Sequence, residues 1–275
     1  MSQPNYFFKS IGYILGRFLL ARKYMIAHSP KYDLKLKFRT QDGGGRAIYK
    51  QGLYEERLTN FLIQKLHFNE GDLIFDVGAN IGWYSNLFAK HKPAARVYCF
   101  EPDPENFEVL LSNLERNDSK TVTANKLGIG EQSETKKLYL YKKSNVGRHS
   151  MLDINEGPYI EVKVVSLDEF IRSQQLDFTK VKFLKIDIEG FEYFAFKGAT
   201  EFLSHVPFIL AEFSPGYMRN GGVEPAELLS LLHGFGFDPF FIEGLELIPK
   251  TDEELLERDK NINLIWLKKD HPLRP

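Results

Sequence analysis

A short glycine-containing turn carries the clearest chemical signal in this sequence. It runs from Gly78 to Gly82, directly after the apolar segment 73–77, and a second apolar segment, 96–100, ends beside the acid Glu101. Glycines let a ligand approach the backbone closely, and the free N–H groups at the start of the next helix can receive it. A carboxylate at the tip of the second strand can accept hydrogen bonds from both hydroxyls of a ribose. This order of parts predicts a site for an adenosine-containing cofactor.

The spacing of the glycines distinguishes between cofactors. A nicotinamide dinucleotide needs glycine at the first, third and sixth positions of the turn, but counted from Gly78 the last two hold Asn80 and Trp83. Their side chains would obstruct a pyrophosphate on the backbone. The pair Gly78 and Gly82, with Asp76 before it, suits S-adenosylmethionine, which has no phosphate and carries a cationic end that a carboxylate attracts. A nicotinamide-dependent oxidoreductase, a non-catalytic interaction module and a turn without ligand remain alternatives.

Three acids near the ends of two later apolar segments form a second group. Asp187 ends the segment 181–187, Glu189 follows it, and Glu212 lies in the segment 207–213. Ligands of open parallel sheets bind beyond the carboxyl ends of the strands, so these acids should border the same crevice as the glycine turn. Asp187 and Glu189 are candidate catalytic residues that could orient or deprotonate a hydroxyl, or help to hold a divalent metal. Glu189 could instead merely stabilise a helix start, and Glu212 is a candidate substrate contact or an exposed loop acid.

His149 is the third candidate catalytic residue. It lies beside Arg148 and Ser150 in the long polar segment 142–158, and an imidazole near an alcohol can act as a base close to neutral pH. A histidine in such a segment can also be simply solvated. No pair of His or Cys residues has the spacing of a metal site, so we predict no bound metal.

Composition and charge narrow the class of protein. A chain of 275 residues with 43% apolar residues can form a large α/β domain with a sizeable core. The formal net charge of −1 indicates no basic surface, which disfavours a nucleic-acid partner. The single cysteine, Cys99, excludes an intrachain disulfide and favours a reducing compartment, so we predict a cytoplasmic protein. The composition does not fix the oligomeric state.

The N-terminal segment 6–27 is apolar and aromatic, but it contains the basic residues Lys9, Arg17, Arg22 and Lys23. No uncharged run reaches the ~18 residues of a membrane-spanning helix, and Arg17 interrupts the apolar core that a signal peptide needs. We therefore predict an amphipathic helix, which could pack on the domain or contact a membrane surface peripherally. Packing is favoured because the apolar residues surround much of the helix.

Predicted strands and helices alternate along most of the chain, which indicates a parallel sheet with right-handed crossovers. The predicted strands are 72–77, 96–101, 121–127, 181–187 and 207–213, and the predicted helices are 54–66, 82–91, 104–116, 166–173, 191–204 and 224–235. Segments 136–141 and 159–165 predict an inserted hairpin.

The two ends of the chain differ from this alternating pattern. Segments 237–243 and 262–268 predict an antiparallel pair at one edge of the sheet, because no convincing long helix separates them. Before residue 51 the sequence predicts an N-terminal helical extension and linker, 1–50, in which the glycine cluster 43–45 belongs to a linker or hairpin. The main domain is predicted to span 51–275.

Several stretches together resemble the FkbM-family methyltransferases. They are GLYEERLTNFL (52–62), GDLIFDVGANIGWYS (71–85), CFEPDPENFEVLLSN (99–113), VVSLDEF (164–170), KIDIEGFEYFAFKGA (185–199) and NLIW (263–266). The resemblance implies a Rossmann-like class I methyltransferase with a seven-stranded, mostly parallel sheet and an antiparallel edge strand. It also implies methyl transfer from S-adenosylmethionine to a hydroxyl of a sugar, glycan or natural product. The N-terminal helix lies outside the matching stretches.

The resemblance implies roles for individual residues as well. The turn that carries Asp76, Gly78, Ala79, Asn80 and Gly82 would hold the cofactor, with Glu101 on the ribose, Lys126 and Leu127 near the adenine, and Glu55 near the methionine end. Asp187, Glu189 and Glu212 would border the pocket of a small-molecule or glycan acceptor.

Overall fold

The computed structural model describes residues 3–141, 149–153 and 157–275. Its strands in chain order are β1 (Tyr24–Ser29), β2 (Leu34–Arg39), β3 (Leu73–Val77), β4 (Arg96–Phe100), β5 (Val122–Asn125), β6 (Gly128–Ile129), β7 (Glu134–Tyr139), β8 (Tyr159–Val165), β9 (Val181–Ile186), β10 (Phe208–Phe213), β11 (Phe237–Glu243), β12 (Glu246–Pro249) and β13 (Ile262–Lys268). Its α-helices are α1 (Gln3–Ile14), α2 (Gly43–Gln51), α3 (Glu56–Lys65), α4 (Trp83–His91), α5 (Pro104–Arg116), α6 (Leu167–Ser173), α7 (Glu192–Lys197), α8 (Thr200–His205), α9 (Pro215–Asn220), α10 (Pro225–Gly234) and α11 (Asp252–Leu256).

The central sheet has eight strands in the order β12-β11-β13-β10-β9-β3-β4-β5. The five strands from β10 to β5 are parallel, whereas β13 is antiparallel to both β10 and β11. The predicted mostly parallel, Rossmann-like sheet is thus confirmed, with one strand more than the seven expected. The additional strand is β12, which pairs with β11 across the two-residue loop 244–245. The antiparallel strand β13 lies inside the sheet and not at its edge.

Both faces of this sheet are covered, because neighbouring residues of a strand point to opposite sides. Phe75 of β3 packs with Phe202 of α8 in one apolar cluster, whereas the adjacent Ile74 belongs to a second cluster that includes Phe61 of α3 and Phe88 of α4. The sheet therefore lies between two helical layers. Packing on both faces fixes the positions of the side chains at its carboxyl-terminal edge.

The N-terminal region differs from the prediction of one helix over 6–27. The helix α1 and a π-helical turn end at Leu19, and β1 then pairs with β2 in an antiparallel hairpin. Met25, Ala27 and Ser29 are buried in alternation with exposed residues, which is the period of a strand and not of a helix. The hairpin packs into the same apolar cluster as α3 and α4. The division of the chain at residue 50 stays a prediction.

The glycine cluster 43–45 begins a helix, so its prediction as linker or hairpin was wrong. Asp42 caps α2, and its carboxylate accepts hydrogen bonds from the N–H groups of Gly44 and Gly45. A Cβ atom at Gly45 would lie 2.3 Å from Phe38 of β2. Glycine is therefore needed here for close packing between helix and hairpin.

One further prediction needs correction: the predicted helix 191–204 is two helices, α7 and α8. They are separated at Gly198, where a Cβ atom would lie 2.4 Å from the carbonyl oxygen of Gly130. The predicted hairpin is confirmed as β7 and β8, which form a separate three-stranded sheet with β6. Most of the predicted long polar loop, at 142–148 and 154–156, lies outside the described residues. Among the helices that the structure describes, none combines the length and the apolar character needed to cross a bilayer.

Candidate active site

The glycine turn lies at the carboxyl end of β3 and contacts the chain at the ends of both neighbouring strands, β4 and β9. The N–H groups of Gly78 and Ala79 both donate to the carbonyl oxygen of Phe100, at 3.0 and 2.9 Å. Gly78 has a φ of +75°, and a Cβ atom there would lie 2.0 Å from the carbonyl oxygen of Asp187. Only glycine fits this position, so the turn presents bare backbone to the space above it.

Asp76 and Gly82 support the turn from below and do not line the cavity above it. The carboxylate of Asp76 is fully buried, where Oδ2 accepts the Ser85 hydroxyl at 2.5 Å and Oδ1 lies 3.8 Å from the ammonium of Lys185. Burial raises the pKa of Asp76, against the opposing effect of Lys185. A Cβ atom at Gly82 would lie 2.5 Å from Leu110. Their predicted role in cofactor binding would therefore be exerted through the shape of the turn.

Glu101 lies beside the turn with both carboxylate oxygens fixed by backbone donors. Its Oε2 accepts the N–H of Asn80 and its Oε1 accepts the N–H of Asp103, both at 2.9 Å. Burial raises the pKa of Glu101 to about 7. The side chain of Asn106 also stabilises the charged form. The predicted contact of Glu101 with the ribose hydroxyls stays a prediction.

Two cavities meet over the glycine turn, one of about 260 Å³ and one of about 50 Å³. Gly78, Asn80, Asp187 and Glu189 line both. The larger cavity is also lined by Asp42, Gly43, Gly44, Ile48, Tyr54, Glu55, Ala79, Ile81, Trp83, Tyr84, Lys185 and Glu212. The smaller cavity is also lined by Glu101, Pro102, Asn106, Leu138, His149, Met151 and Ile188. A ligand that crosses the turn would place one end against Glu101 and the other in the larger, acidic cavity.

Glu55 is fixed at the wall of the larger cavity, and its predicted place at the methionine end of the cofactor stays a prediction. Its Oε2 accepts the hydroxyl of Tyr84 at 2.5 Å and its Oε1 accepts the amide of Asn263 at 3.2 Å. Burial raises the pKa of Glu55, although both of these donors oppose the effect.

Asp187, Glu189 and Glu212 also line the larger cavity, so they border the same space as the glycine turn. Glu212 accepts the Ser214 hydroxyl at 2.5 Å and the amide of Asn261 at 3.0 Å, both through Oε2. Glu189 has a φ of +54°, a conformation that costs a non-glycine residue roughly 1–3 kcal/mol. The side chain of Asp187 is 26% exposed, so its carboxylate can reach a molecule in the cavity.

His149 lines the smaller cavity on the side of Glu101. Its Nδ1 accepts the N–H of Tyr141 at 3.0 Å, and its Nε2 lies 3.9 Å from Oδ2 of Asp103. Burial lowers the pKa of His149, with Asp103 opposing and Arg39 reinforcing the shift. Because the Nδ1 lone pair is occupied, Nε2 carries the proton of the neutral ring. The geometry therefore gives no support to its predicted role as catalytic base.

Lys126 and Leu127 line neither cavity. The ammonium of Lys126 lies 6.0 Å from the centre of the Phe107 ring, and Leu127 packs against the apolar cluster under the sheet. Their predicted contact with an adenine stays a prediction that the geometry does not support.

Lys185 and Glu192 belong to the site, although no role was predicted for them from the sequence. Lys185 donates to the carbonyl oxygen of Gly78 at 3.0 Å and lies 3.8 Å from both Asp76 and Asp187. Burial lowers the pKa of Lys185, but the carboxylates of Asp187 and Asp76 raise it. The net shift is upward, so the ammonium stays charged. Residue 185 is two before Asp187 on one strand and thus shares its face, which is a signal that could have identified it.

Glu192 lies behind the wall of the larger cavity, at the start of α7. Its Oε1 accepts the N–H of Ile188 at 2.8 Å, and the residue is only 1% exposed. Burial, with a further contribution from Glu212, raises the pKa of Glu192 to about 8. No local sequence signal separates it from an ordinary acid in the first turn of a helix.

Comparison with known proteins gives the site a family. The Methyltransferase FkbM domain matches residues 76–239. The hexuronic acid methyltransferase AglP of Haloferax volcanii is 28% identical over 163 residues, which cover 59% of this chain and 62% of AglP. The 2-O-methyltransferase NoeI of Sinorhizobium fredii is 26% identical over 63% of this chain and 76% of its own length. The 31-O-demethyl-FK506 methyltransferase FkbM of Streptomyces tacrolimicus is 24% identical over 70% of this chain and 85% of its own length. The matched family domain includes the glycine turn, the acid at the tip of β4 and the acids after β9 and in β10, and the chain belongs to the FkbM family of methyltransferases, as its motifs predicted.

Proposed function

We propose that this protein transfers a methyl group from S-adenosylmethionine to a hydroxyl of a sugar, glycan or natural product. The observation that carries the proposal is the pair of cavities that share the glycine turn, with Glu101 in one and a group of acids in the other. The names of three relatives support a hydroxyl acceptor, since they specify a hexuronic acid, a 2-O position and the 31-O position of a natural product.

The chemistry asks little of the protein beyond alignment, because the methyl group of the sulfonium is already activated. The acceptor oxygen, the methyl carbon and the sulfur must lie in line, and a proton must leave the hydroxyl. Glu101 would hold the ribose, and Glu55 would face the ammonium of the methionine end. Asp187, which is partly exposed on the cavity wall, would orient the acceptor hydroxyl and accept its proton.

The proposal is tested with the purified chain, isotopically labelled S-adenosylmethionine and a panel of uronic acids, neutral hexoses, glycans and polyketide alcohols. We expect one class to gain a single methyl group by mass, and the deoxy analogue of that acceptor, lacking the methylated hydroxyl, to remain unchanged. Calorimetry with S-adenosylhomocysteine and NAD is the accompanying control. Binding of NAD with no binding of S-adenosylhomocysteine would contradict the proposal.

We also propose that this protein is cytoplasmic and that it contacts a membrane surface through α1 and the turn after it. Within this segment Tyr13 and Gly16 are buried, and the Tyr13 hydroxyl donates to the carbonyl oxygen of Thr40, which holds the helix on the hairpin and α2. Large apolar side chains on the rest of its surface are exposed, at Tyr6, Phe7, Phe8, Ile11, Ile14, Leu15, Phe18, Leu19 and Leu20. The sequence favours a packed helix, but packing covers only a small part of its surface.

The charge around this apolar surface favours anionic lipid as its partner. No acidic residue precedes Asp33, whereas Lys9, Arg17, Arg22 and Lys23 lie in or directly after the helix. An apolar helix face rimmed by basic residues is typical of interfacial binding. The helix α1 packs on α2, whose first residues Gly43 and Gly44 line the larger cavity. Membrane contact would thus bring this cavity closer to lipid.

A vesicle-binding experiment tests this contact. We expect the protein to sediment with phosphatidylglycerol vesicles and less with phosphatidylcholine vesicles, and the binding to weaken as salt is added. Because a buried phenylalanine contributes ~1.5–3 kcal/mol, Phe8→Ser should lower vesicle affinity by roughly tenfold or more. Leu111→Ser, on an exposed site of α5, is the matched control and should bind as the natural protein does. Equal binding by Phe8→Ser would contradict the contact.

A further inference from the structure

Three carboxylates from three elements meet next to the larger cavity. Asp187 follows β9, Glu212 lies in β10 and Glu192 lies in α7, and one oxygen of each lies within 4.8 Å of the others. Asp187 and Glu212 face the cavity, whereas Glu192 lies behind them. Like charges at this spacing repel one another, so either one carboxyl keeps a proton, as the raised pKa of Glu192 allows, or a cation compensates the charge.

Glu192 provides an independent sign that something is bound here. Its Oε1 accepts a backbone N–H, but its Oε2 is buried without a hydrogen-bond partner among the described residues. A buried carboxylate oxygen without a donor costs free energy, and a bound ion or water is one of the ways in which native structures satisfy such a group. This oxygen is on the residue that groups with Asp187 and Glu212.

Protein charges near the cluster do not balance it. Among the described residues that line the larger cavity there are five acids and a single basic residue, Lys185. Its ammonium is shared between Asp76 and Asp187 and donates to Gly78. S-adenosylmethionine, with two cationic groups and one carboxylate, adds one net positive charge, so the cavity stays strongly negative after the cofactor binds.

We propose that Asp187, Glu192 and Glu212 bind a divalent metal cation of the oxygen-preferring class, such as Mg²⁺, Mn²⁺ or Ca²⁺. Carboxylate oxygens are the ligands that these ions prefer, and oxygens on opposite sides of Ca²⁺ lie about 4.6–5.2 Å apart. The oxygens of the cluster thus need little movement to enclose an ion. The prediction of no bound metal came from His and Cys spacing, which does not bear on a carboxylate site.

The position of the ion indicates its use, and this part rests on the proposed function. Asp187 and Glu212 face the cavity, so the open positions of the ion would point to the acceptor. A divalent cation that binds the acceptor oxygen lowers the pKa of the hydroxyl and fixes its direction toward the methyl group. Glu192, on the far side, would act only as a ligand.

The metal site is tested by titrating the chelator-treated full chain with Mn²⁺ and following free Mn²⁺ by electron paramagnetic resonance. We expect one Mn²⁺ per chain, displaced by Mg²⁺ or Ca²⁺. Glu192→Gln keeps the shape and an acceptor for the Ile188 N–H but loses the charge, and should weaken Mn²⁺ binding by at least about tenfold. The control is Glu131→Gln, an exposed acid paired with Lys197, which should leave binding unchanged.

Binding of S-adenosylhomocysteine to each variant shows that its site is folded. If Glu192→Gln does not fold, Glu212→Gln carries the same test. The proposal is overturned if the natural chain binds no stoichiometric Mn²⁺, or if both variants bind it as tightly as the natural chain does. Either result would leave the proposed methyl transfer intact. The use of the ion in catalysis is overturned if a chelator leaves the rate of methyl transfer unchanged.

Discussion

Replacing Glu101 with alanine should lower the affinity for S-adenosylhomocysteine by about a thousandfold. The side chain is predicted to accept hydrogen bonds from both ribose hydroxyls, and a hydrogen bond to a charged group contributes ~1.5–3 kcal/mol. Two such bonds amount to roughly 3–6 kcal/mol, or a factor of about 10² to 10⁴ in the dissociation constant. Calorimetry with S-adenosylhomocysteine measures the loss. Glu108→Ala, on the exposed side of α5, is the control and should bind normally.

Glutamine should not rescue this position, because of the donors that surround it. Both carboxylate oxygens accept backbone N–H groups, from Asn80 and Asp103, so an amide nitrogen in either place would face another donor. We therefore expect Glu101→Gln to bind S-adenosylhomocysteine almost as poorly as Glu101→Ala. A Glu101→Gln variant with normal affinity would mean that the carboxylate does not hold the ribose.

The same carboxylate predicts how cofactor binding depends on pH. Burial raises the pKa of Glu101 to about 7 in the free protein, and the ionised form is the one that accepts two hydroxyls. Affinity for S-adenosylhomocysteine should therefore be full above pH 7 and fall as the pH decreases through that value. Glu101→Gln should lose this dependence. Equal affinity at pH 6 and pH 8 in the natural protein would contradict the assignment.

The sequence predicts well the parts of this fold that local patterns determine. The predicted segments 72–77, 82–91 and 96–101 agree with β3, α4 and β4 to within one residue at each end. Here a fully buried strand, a glycine turn and a helix follow one another without ambiguity. The same local order brings the turn and Glu101 together, because parallel strands end at one edge of the sheet.

The errors occur where strand pairing decides the structure. An apolar run made 6–27 look like one helix, but from Tyr24 its alternate residues are buried against the hairpin partner β2 and the helices α3 and α4. The four-residue strand β12 exists only through its pairing with β11. Both pairings are hairpins, but an apolar run and a four-residue segment do not by themselves predict a strand.

The site shows the same division between local and distant causes. Asp187 and Glu212 were predicted from their places at strand ends, which the fold itself brings together. Glu192 resembles any acid in the first turn of a helix, and its importance depends on burial and on carboxylates five and twenty residues away along the chain. His149 was predicted from its polar surroundings, yet its Nδ1 is engaged by the N–H of Tyr141. Burial and hydrogen bonding made by the folded chain are what the sequence did not reveal.

Gly78→Ala should abolish cofactor binding and destabilise the protein. Gly71→Ala should destabilise it less and leave cofactor binding normal. Both glycines have positive φ, +75° and +83°, so alanine at either costs about 1–2 kcal/mol in backbone conformation. A Cβ atom at Gly71 meets nothing within 4 Å, but at Gly78 it would lie 2.0 Å from the carbonyl oxygen of Asp187. Comparing the two alanine variants therefore separates the free-energy cost of the backbone conformation from the cost of the close contact at Gly78.

The contact at Gly78 cannot be relieved cheaply, because the atom it meets belongs to the backbone. Either the turn or the chain after β9 must move, and forced displacement in a packed region costs typically ~1–3 kcal/mol more. We expect Gly71→Ala to lose about 1–2 kcal/mol of unfolding free energy in denaturant and to bind S-adenosylhomocysteine normally. Gly78→Ala should lose roughly 2–5 kcal/mol of unfolding free energy and show no binding of S-adenosylhomocysteine at millimolar concentration. Displacement of the turn would move it away from Glu101 and would also change the position of Asp187. If Gly78→Ala binds as well as Gly71→Ala, then the turn is a structural joint between strands and the cofactor lies elsewhere.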